Sequence, residues 1–218
     1  QPAYYLWHGN GPRPSSKPGP SPPSARQRSP PTSSALPMNA WRQDQVIPQG
    51  QYESLHRMVF GQPARAVYAV MDGAMIDDLP ARLAQIAPDA ACLFEGALDP
   101  MLSAAAPWLV KLDPESRVTQ MALREGWNGH WGIVLVTDAG LDLRTVRAHL
   151  RRVLRVRAPD GSSMLFRFYD PRAFRTVIPA LDAPARKEFF GPIHGVYAES
   201  RSPDSVLFFA REGRAEPQ

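Results

Sequence analysis

The chain has 218 residues, of which 25 are basic and 21 acidic. All the acidic residues lie in residues 38–218, where 21 basic residues balance them, so overall charge gives no argument for nucleic-acid binding by the folded part. No apolar run approaches the roughly 18 residues that a membrane span requires, and we expect a soluble intracellular protein with no membrane partner.

Residues 1–37 differ in composition from the rest of the chain. They contain ten prolines, seven serines, four basic residues and no acidic residue. Such a segment buries too little apolar surface to offset its ordering entropy, so we predict a disordered tail. Because Met38 follows directly, we expect the tail to be a fusion, an added segment or a translated upstream region. Residues 38–218 are long enough for a single domain with a sizeable core.

Apolar periodicity and turn residues predict the elements of the first half of this domain. In chain order they are a helix at 51–60, a strand at 66–71 ending at the turn Asp72-Gly73, a helix at 77–86, a strand at 91–94, a helix at 101–106 capped by Asp99, and a strand at 108–112.

The second half continues this alternation. The predicted elements are a helix at 115–124, a central strand at 131–137, a helix at 141–156, a turn at Asp160-Gly161, a strand at 164–169, a helix from Asp170-Pro171 to residue 178, a helix at 183–190 and strands at 195–200 and 205–211. The order predicts an α/β chain, α+β in detail, with helices covering a mixed sheet that ends in a C-terminal β-hairpin.

Patterns that carry catalytic chemistry are missing from the sequence. The five histidines are scattered, the single Cys92 lies in an apolar run, and no nucleophile elbow or phosphate-binding loop is present. We therefore expect no catalytic residue, no metal site and no cofactor. The alternative is a hydrolase-like enzyme with a carboxylate–histidine site built from Asp72, Glu95 and His149.

One helix carries an arginine ridge, defined here as Arg144, Arg147, Arg151 and Arg155 with Arg152 beside them. The ridge lies opposite the apolar stripe of the 141–156 helix. It is either a solvated face or a surface that docks on an acidic partner, because guanidinium groups pair well with carboxylates. Replacing Arg147 and Arg151 with Glu is then expected to weaken partner binding and to leave the domain folded.

Four passages together resemble the DUF4123 family. They are 67–73 (VYAVMDG), 92–112 (CLFEGALDPMLSAAAPWLVKL), 131–136 with 149–154 (HLRRVL), and 166–174 (FRFYDPRAF), with FFGP at 189–192 as a further match. Members of that family look like adaptors, or effector chaperones, of bacterial type VI secretion. The resemblance implies a cytoplasmic, non-catalytic protein that binds a toxic effector and helps to load it onto the VgrG spike or the PAAR tip.

The resemblance also singles out motif positions. These motif residues are Asp72, Gly73, Asp99, Trp131, Arg167, Tyr169, Asp170, Pro171 and Arg172. Several match strand and cap chemistry, so we expect them to hold the fold together rather than to touch the effector. An immunity protein that inhibits a toxin is a further alternative of the same binding class.

Overall fold

The computed structural model describes residues 46–62, 64–157 and 161–213, and the backbone of residues 215–217. The chain divides into two units, Gln1–Leu36 and Pro37–Gln218, and every described residue lies in the second unit. The predictions for the tail and for Asp160 lie outside the described residues.

Helices and strands alternate along most of the described chain. Their bounds are α1 (Gln49–Phe60), β1 (Arg65–Asp72), α2 (Leu79–Ile86), β2 (Ala91–Cys92), α3 (Pro100–Ala105), β3 (Pro107–Leu112), α4 (Arg117–Gln120), β4 (Gly132–Asp138), α5 (Leu143–Val153), β5 (Arg155–Arg157), β6 (Ser163–Leu165), α6 (Pro171–Val177), α7 (Ala183–Phe190), β7 (Ile193–Glu199), β8 (Val206–Ala210) and β9 (Ala215–Pro217). A π-helical turn, Met121–Glu125, extends α4, and a 3-10 turn, Ile178–Ala180, extends α6.

Seven strands form one sheet in the order β2-β3-β1-β4-β7-β8-β9, with β4 at its centre as its hydrophobic run predicted. The α+β class and the C-terminal hairpin of β7 and β8 are confirmed. The strand directions differ from the mixed sheet that we expected, because every pairing in this sheet is antiparallel. Alternating helices and strands do not determine strand direction, since a helix can also connect antiparallel strands.

The sheet is buried on both faces. Alternate residues of β1 pack into two different cores. One core contains Ala66, Tyr68 and Val70, and the other contains Val67, Ala69 and Met71. Apolar residues of α5, α6 and α7 cover the first face, and those of α1, α2 and α4 cover the second. Burial on both faces explains why β1 and β4 are nearly continuous hydrophobic runs.

The region after α5 departs most from the prediction. The helix ends at Val153, and β5 then pairs with β6 in a separate two-stranded sheet. The predicted strand at 164–169 ends at Leu165, because the next residues turn inward: Phe168 is buried and stacks edge-to-face on Phe189 at a centroid distance of 5.8 Å. Burial of these rings therefore overrides the alternating strand pattern.

Candidate functional site

Most of the motif residues meet at one end of the sheet, in a group that we call the motif cluster. Asp72 ends β1 and its backbone N–H donates to the carbonyl of Trp131, just before β4 begins, at 2.7 Å. The N-terminus of α6 supplies Asp170, Pro171 and Arg172. The antiparallel register of β1 and β4 brings the two strand ends together, and Arg167, a few residues before α6, donates a hydrogen bond to Asp72.

Asp72 is the buried centre of the motif cluster. Its side chain is fully buried, and its carboxylate accepts a hydrogen bond from Arg167 at 2.5 Å and another from the backbone N–H of Ala74 at 3.0 Å. The Arg167 guanidinium also lies over the Tyr169 ring, 5.7 Å from its centroid. Burial, with the Asp72 charge as the second cause, raises the pKa of Tyr169 to about 12.

Gly73 has a steric role beside Asp72. Its N–H donates to the carbonyl of Ala106 at 3.1 Å, and a Cβ on Gly73 would lie 2.2 Å from the carbonyl oxygen of Ala104. A side chain would push the β1 end away from α3, whose N-cap is Asp99 through a 2.9 Å hydrogen bond from the Leu102 N–H. These two motif residues therefore hold backbone segments together.

Asp170 and Arg172 form a local cap on α6. The Asp170 carboxylate accepts from the backbone N–H of Arg172 at 2.9 Å and from its guanidinium at 2.8 and 2.9 Å. Burial alone would raise the pKa of Asp170, but these hydrogen bonds outweigh it and lower that pKa. Pro171 fits the first helical position, where its missing N–H is harmless.

Sequence reasoning missed a second buried carboxylate in this region. Glu199, at the end of β7, accepts from the backbone N–H of His130 at 2.9 Å and lies 2.6 Å from the His130 Nδ1. Burial raises the pKa of Glu199, and the charge and hydrogen bonds of His130 oppose that rise. The backbone carbonyls of Glu199 and Ser200 both accept from Arg175. The signal in the sequence was an acidic residue, Glu199, inside the predicted strand at 195–200.

The arginine ridge is divided by the structure. Arg147 donates through Nε to the carbonyl of Cys92 at 2.9 Å, and Arg151 donates to the carbonyls of Leu93 and Phe94 at 3.1 and 2.7 Å. Burial lowers the pKa of Arg147. These two arginines attach α5 to the end of β2 and to the segment that follows it. The side chains of the remaining ridge residues are exposed, namely Arg144, Arg152 and Arg155.

An open groove lies beside the exposed end of the ridge, between α5, the 93–102 segment and β6. Its volume is about 660 Å³. Three arginines and one acid line it, together with apolar side chains. Its lining includes Arg151, Arg152, Arg155, Glu95, Leu102, Met164 and Leu165. We call this feature the α5 groove.

A known protein family matches the part of the chain that contains the α5 groove and most of the motif cluster. The family described as domain of unknown function (DUF4123) matches residues 67–188, more than half of the chain. The chain belongs to the DUF4123 family. No curated protein and no solved structure matches it. The DUF4123 match includes the α5 groove and the motif cluster up to Arg172, whereas Glu199 lies beyond its end.

The three residues of the enzyme alternative have separate partners in this DUF4123 chain. Asp72 binds Arg167, Glu95 faces Arg151 at 3.4 Å, and the buried His149 donates from Nε2 to the carbonyl of Phe189 at 2.7 Å. Within the described part of the chain, no hydrogen bond joins any two of the three. Burial lowers the pKa of His149, with Arg152 as a further cause, which favours the neutral ring.

Metal and thiol chemistry have little support in the described residues. No group of three or more His, Cys, Asp or Glu side chains there is placed to hold a metal ion. Burial raises the pKa of the half-buried Cys92 thiol, which disfavours the nucleophilic thiolate. None of the helices in the described ranges is long and apolar enough to cross a membrane.

Proposed function

We propose that this DUF4123 protein is a non-catalytic adaptor of bacterial type VI secretion. It binds a toxic effector protein in the cytoplasm and promotes loading of that effector onto the VgrG spike or the PAAR tip. The secretion role follows from the family resemblance, and the observation that supports a binding role is the α5 groove. It is an open, apolar and arginine-flanked surface of the kind that recognises another protein.

Exposed apolar side chains are concentrated at the α5 groove. Among the described residues, three of the seven large hydrophobic side chains that are exposed line the groove, and two more are neighbours in the chain of lining residues. These five are Met101, Leu102, Val156, Met164 and Leu165. Contiguous exposed apolar surface commonly marks an interaction site, since leaving it in water is unfavourable.

Charge at the groove agrees with partner binding better than with catalysis. Arginine is enriched at protein interfaces because its planar guanidinium binds carboxylates and also packs on apolar surface. The groove offers arginines and flexible apolar side chains, whereas Asp72 and His149 are engaged with other groups of the fold. Among the described residues, no feature favours the hydrolase alternative over binding.

The test is coexpression of the affinity-tagged full chain with the effector and spike proteins encoded beside it. We expect the effector to copurify with the chain, and the spike protein to join when the effector is present. Failure of both proteins to copurify overturns the proposal. Toxicity of the effector separates the immunity alternative, because an immunity protein abolishes toxicity whereas an adaptor stabilises the effector and supports its secretion.

A further inference from the structure

We infer that the α5 groove binds an acidic amphipathic segment of the partner protein, with apolar side chains in the groove and carboxylates on its arginines. The inference rests on the proposed function in taking a protein as the partner. It goes further by naming the surface and the chemistry of the segment that occupies it.

The charge of the groove selects an acidic occupant. Arg151, Arg152 and Arg155 line it, and Glu95 is the acidic residue among the lining side chains. Glu95 pairs with Arg151, which also donates to three carbonyls of the 92–94 segment. The exposed Arg152 and Arg155 therefore give the groove its excess positive charge, although residues 38–218 are neutral as a whole.

The apolar part of the groove selects an amphipathic occupant rather than a simple polyanion. Leu93 and Leu154 are buried and form its base, while Leu102, Met164 and Leu165 are exposed at 44, 39 and 49%. Nucleic-acid phosphates would gain nothing from these side chains. Apolar residues that alternate with acidic ones would cover them and also reach the arginines, as amphipathic helices do in hydrophobic grooves.

Two other occupants are disfavoured by charge. The N-terminal 37 residues carry four basic residues and no acidic residue, so their charge has the wrong sign for Arg152 and Arg155. A second copy that presented the same groove would place arginines against arginines. Like charges in an interface are unfavourable and act against wrong partners.

The direct test uses two fluorescent peptides of about 14 residues that have leucines at the same helical positions. One carries glutamate at the remaining positions and the other lysine. By fluorescence polarisation, we expect the full chain to bind the glutamate peptide about tenfold or more tightly than the lysine peptide. High salt should reduce that preference, because it screens exposed charges. Equal binding of the two peptides, or no binding of either, overturns the inference.

The R152E/R155E variant locates this binding. It should lose about tenfold or more in affinity for the glutamate peptide. The control is R144E/R201E, which has the same net charge but changes exposed arginines outside the groove lining. This control should bind like the wild type. The M164S/L165S variant, at exposed positions of β6, should also weaken binding. If R152E/R155E and M164S/L165S both bind normally, the groove is not the site.

The same variants separate this inference from the adaptor proposal. If the effector copurifies equally well with R152E/R155E and with the wild type, the groove inference fails and the adaptor proposal stands. If the wild type binds the glutamate peptide but captures neither effector nor spike protein, the adaptor proposal fails and the groove remains an acidic-segment site.

Discussion

The motif cluster and the α5 groove are both rich in arginine, but their arginines have different surroundings. In the motif cluster, Arg167 and Arg172 each bind a carboxylate that is buried or half-buried, Asp72 and Asp170. In the groove, Arg152 and Arg155 are exposed beside apolar side chains. The contrast is that the arginines of the motif cluster pair with carboxylates of the fold, whereas Arg152 and Arg155 are exposed at the groove.

The two regions also differ in what a substitution should change. Removing a partner in the motif cluster leaves a polar group without its hydrogen bonds, which lowers the free energy of unfolding. Changing an exposed groove residue removes few hydrogen bonds, the long 3.4 Å contact from Arg152 to the His149 Nδ1 among them, so we expect the fold to be retained and the binding surface to change. The following predictions are ordered by their expected effect on stability and test this division.

Asp72→Ala should have the largest effect on stability. It removes a buried carboxylate and leaves Arg167 without its ion-pair partner, at a cost of about 3 kcal/mol in the free energy of unfolding. Urea denaturation measures that loss. The matched control is Asp138→Ala, because Asp138 also pairs with an arginine but lies in water and should contribute much less. Equal losses for the two variants would contradict a structural role for the motif cluster.

The R147E/R151E variant should have an intermediate effect on stability. The sequence alone suggested that this double substitution leaves the domain folded, but both arginines donate to backbone carbonyls of the 92–94 segment. Replacing the donors with carboxylates should cost about 2 kcal/mol in the free energy of unfolding. Thermal denaturation checks this, with Arg144→Glu on the same helix as the control. A melting temperature equal to that of the wild type would show that these hydrogen bonds contribute nothing.

His149→Gln should change the pH dependence of stability. Because burial lowers the pKa of His149 in the folded protein, the unfolded chain takes up a proton first, below about pH 6.5. This residue therefore stabilises the fold above that pH, and the stabilisation is lost as pH falls. Gln can donate to the Phe189 carbonyl without titrating, so the variant should lose less stability than the wild type between pH 7 and pH 5. Parallel stability curves in urea would contradict a buried neutral ring.

The R152E/R155E variant should have the smallest effect on folding. Both side chains are exposed, and reversing charge near the C-terminal end of α5 should cost less than about 1 kcal/mol in the free energy of unfolding. Circular dichroism during heating measures the change, again beside the R144E/R201E variant. A large loss of stability would place Arg152 and Arg155 with the structural arginines and would remove the contrast between the two regions.

Local sequence signals predicted the elements and their caps well. Asp99 and Asp170 are helix caps, as their positions before Pro100 and Pro171 indicated. The predicted helix at 183–190 has the bounds of α7. Strand direction and the end of β6 were not predictable in this way, because they depend on which distant residues a segment packs against. Phe168, for example, turns inward onto Phe189.

The sequence by itself determined the helices, the hydrophobic strands, the neutral charge of residues 38–218 and the family, because each depends on residue type and spacing along the chain. Only the tertiary structure decided how the arginines are used. Arg147 and Arg151 bind carbonyls, while Arg152 and Arg155 border a groove that forms only when α5, the 93–102 segment and β6 come together. Helical spacing predicted all these arginines on one helix, but α5 ends at Val153 and Arg155 lies in β5, and a side chain's partners depend on what folds against it.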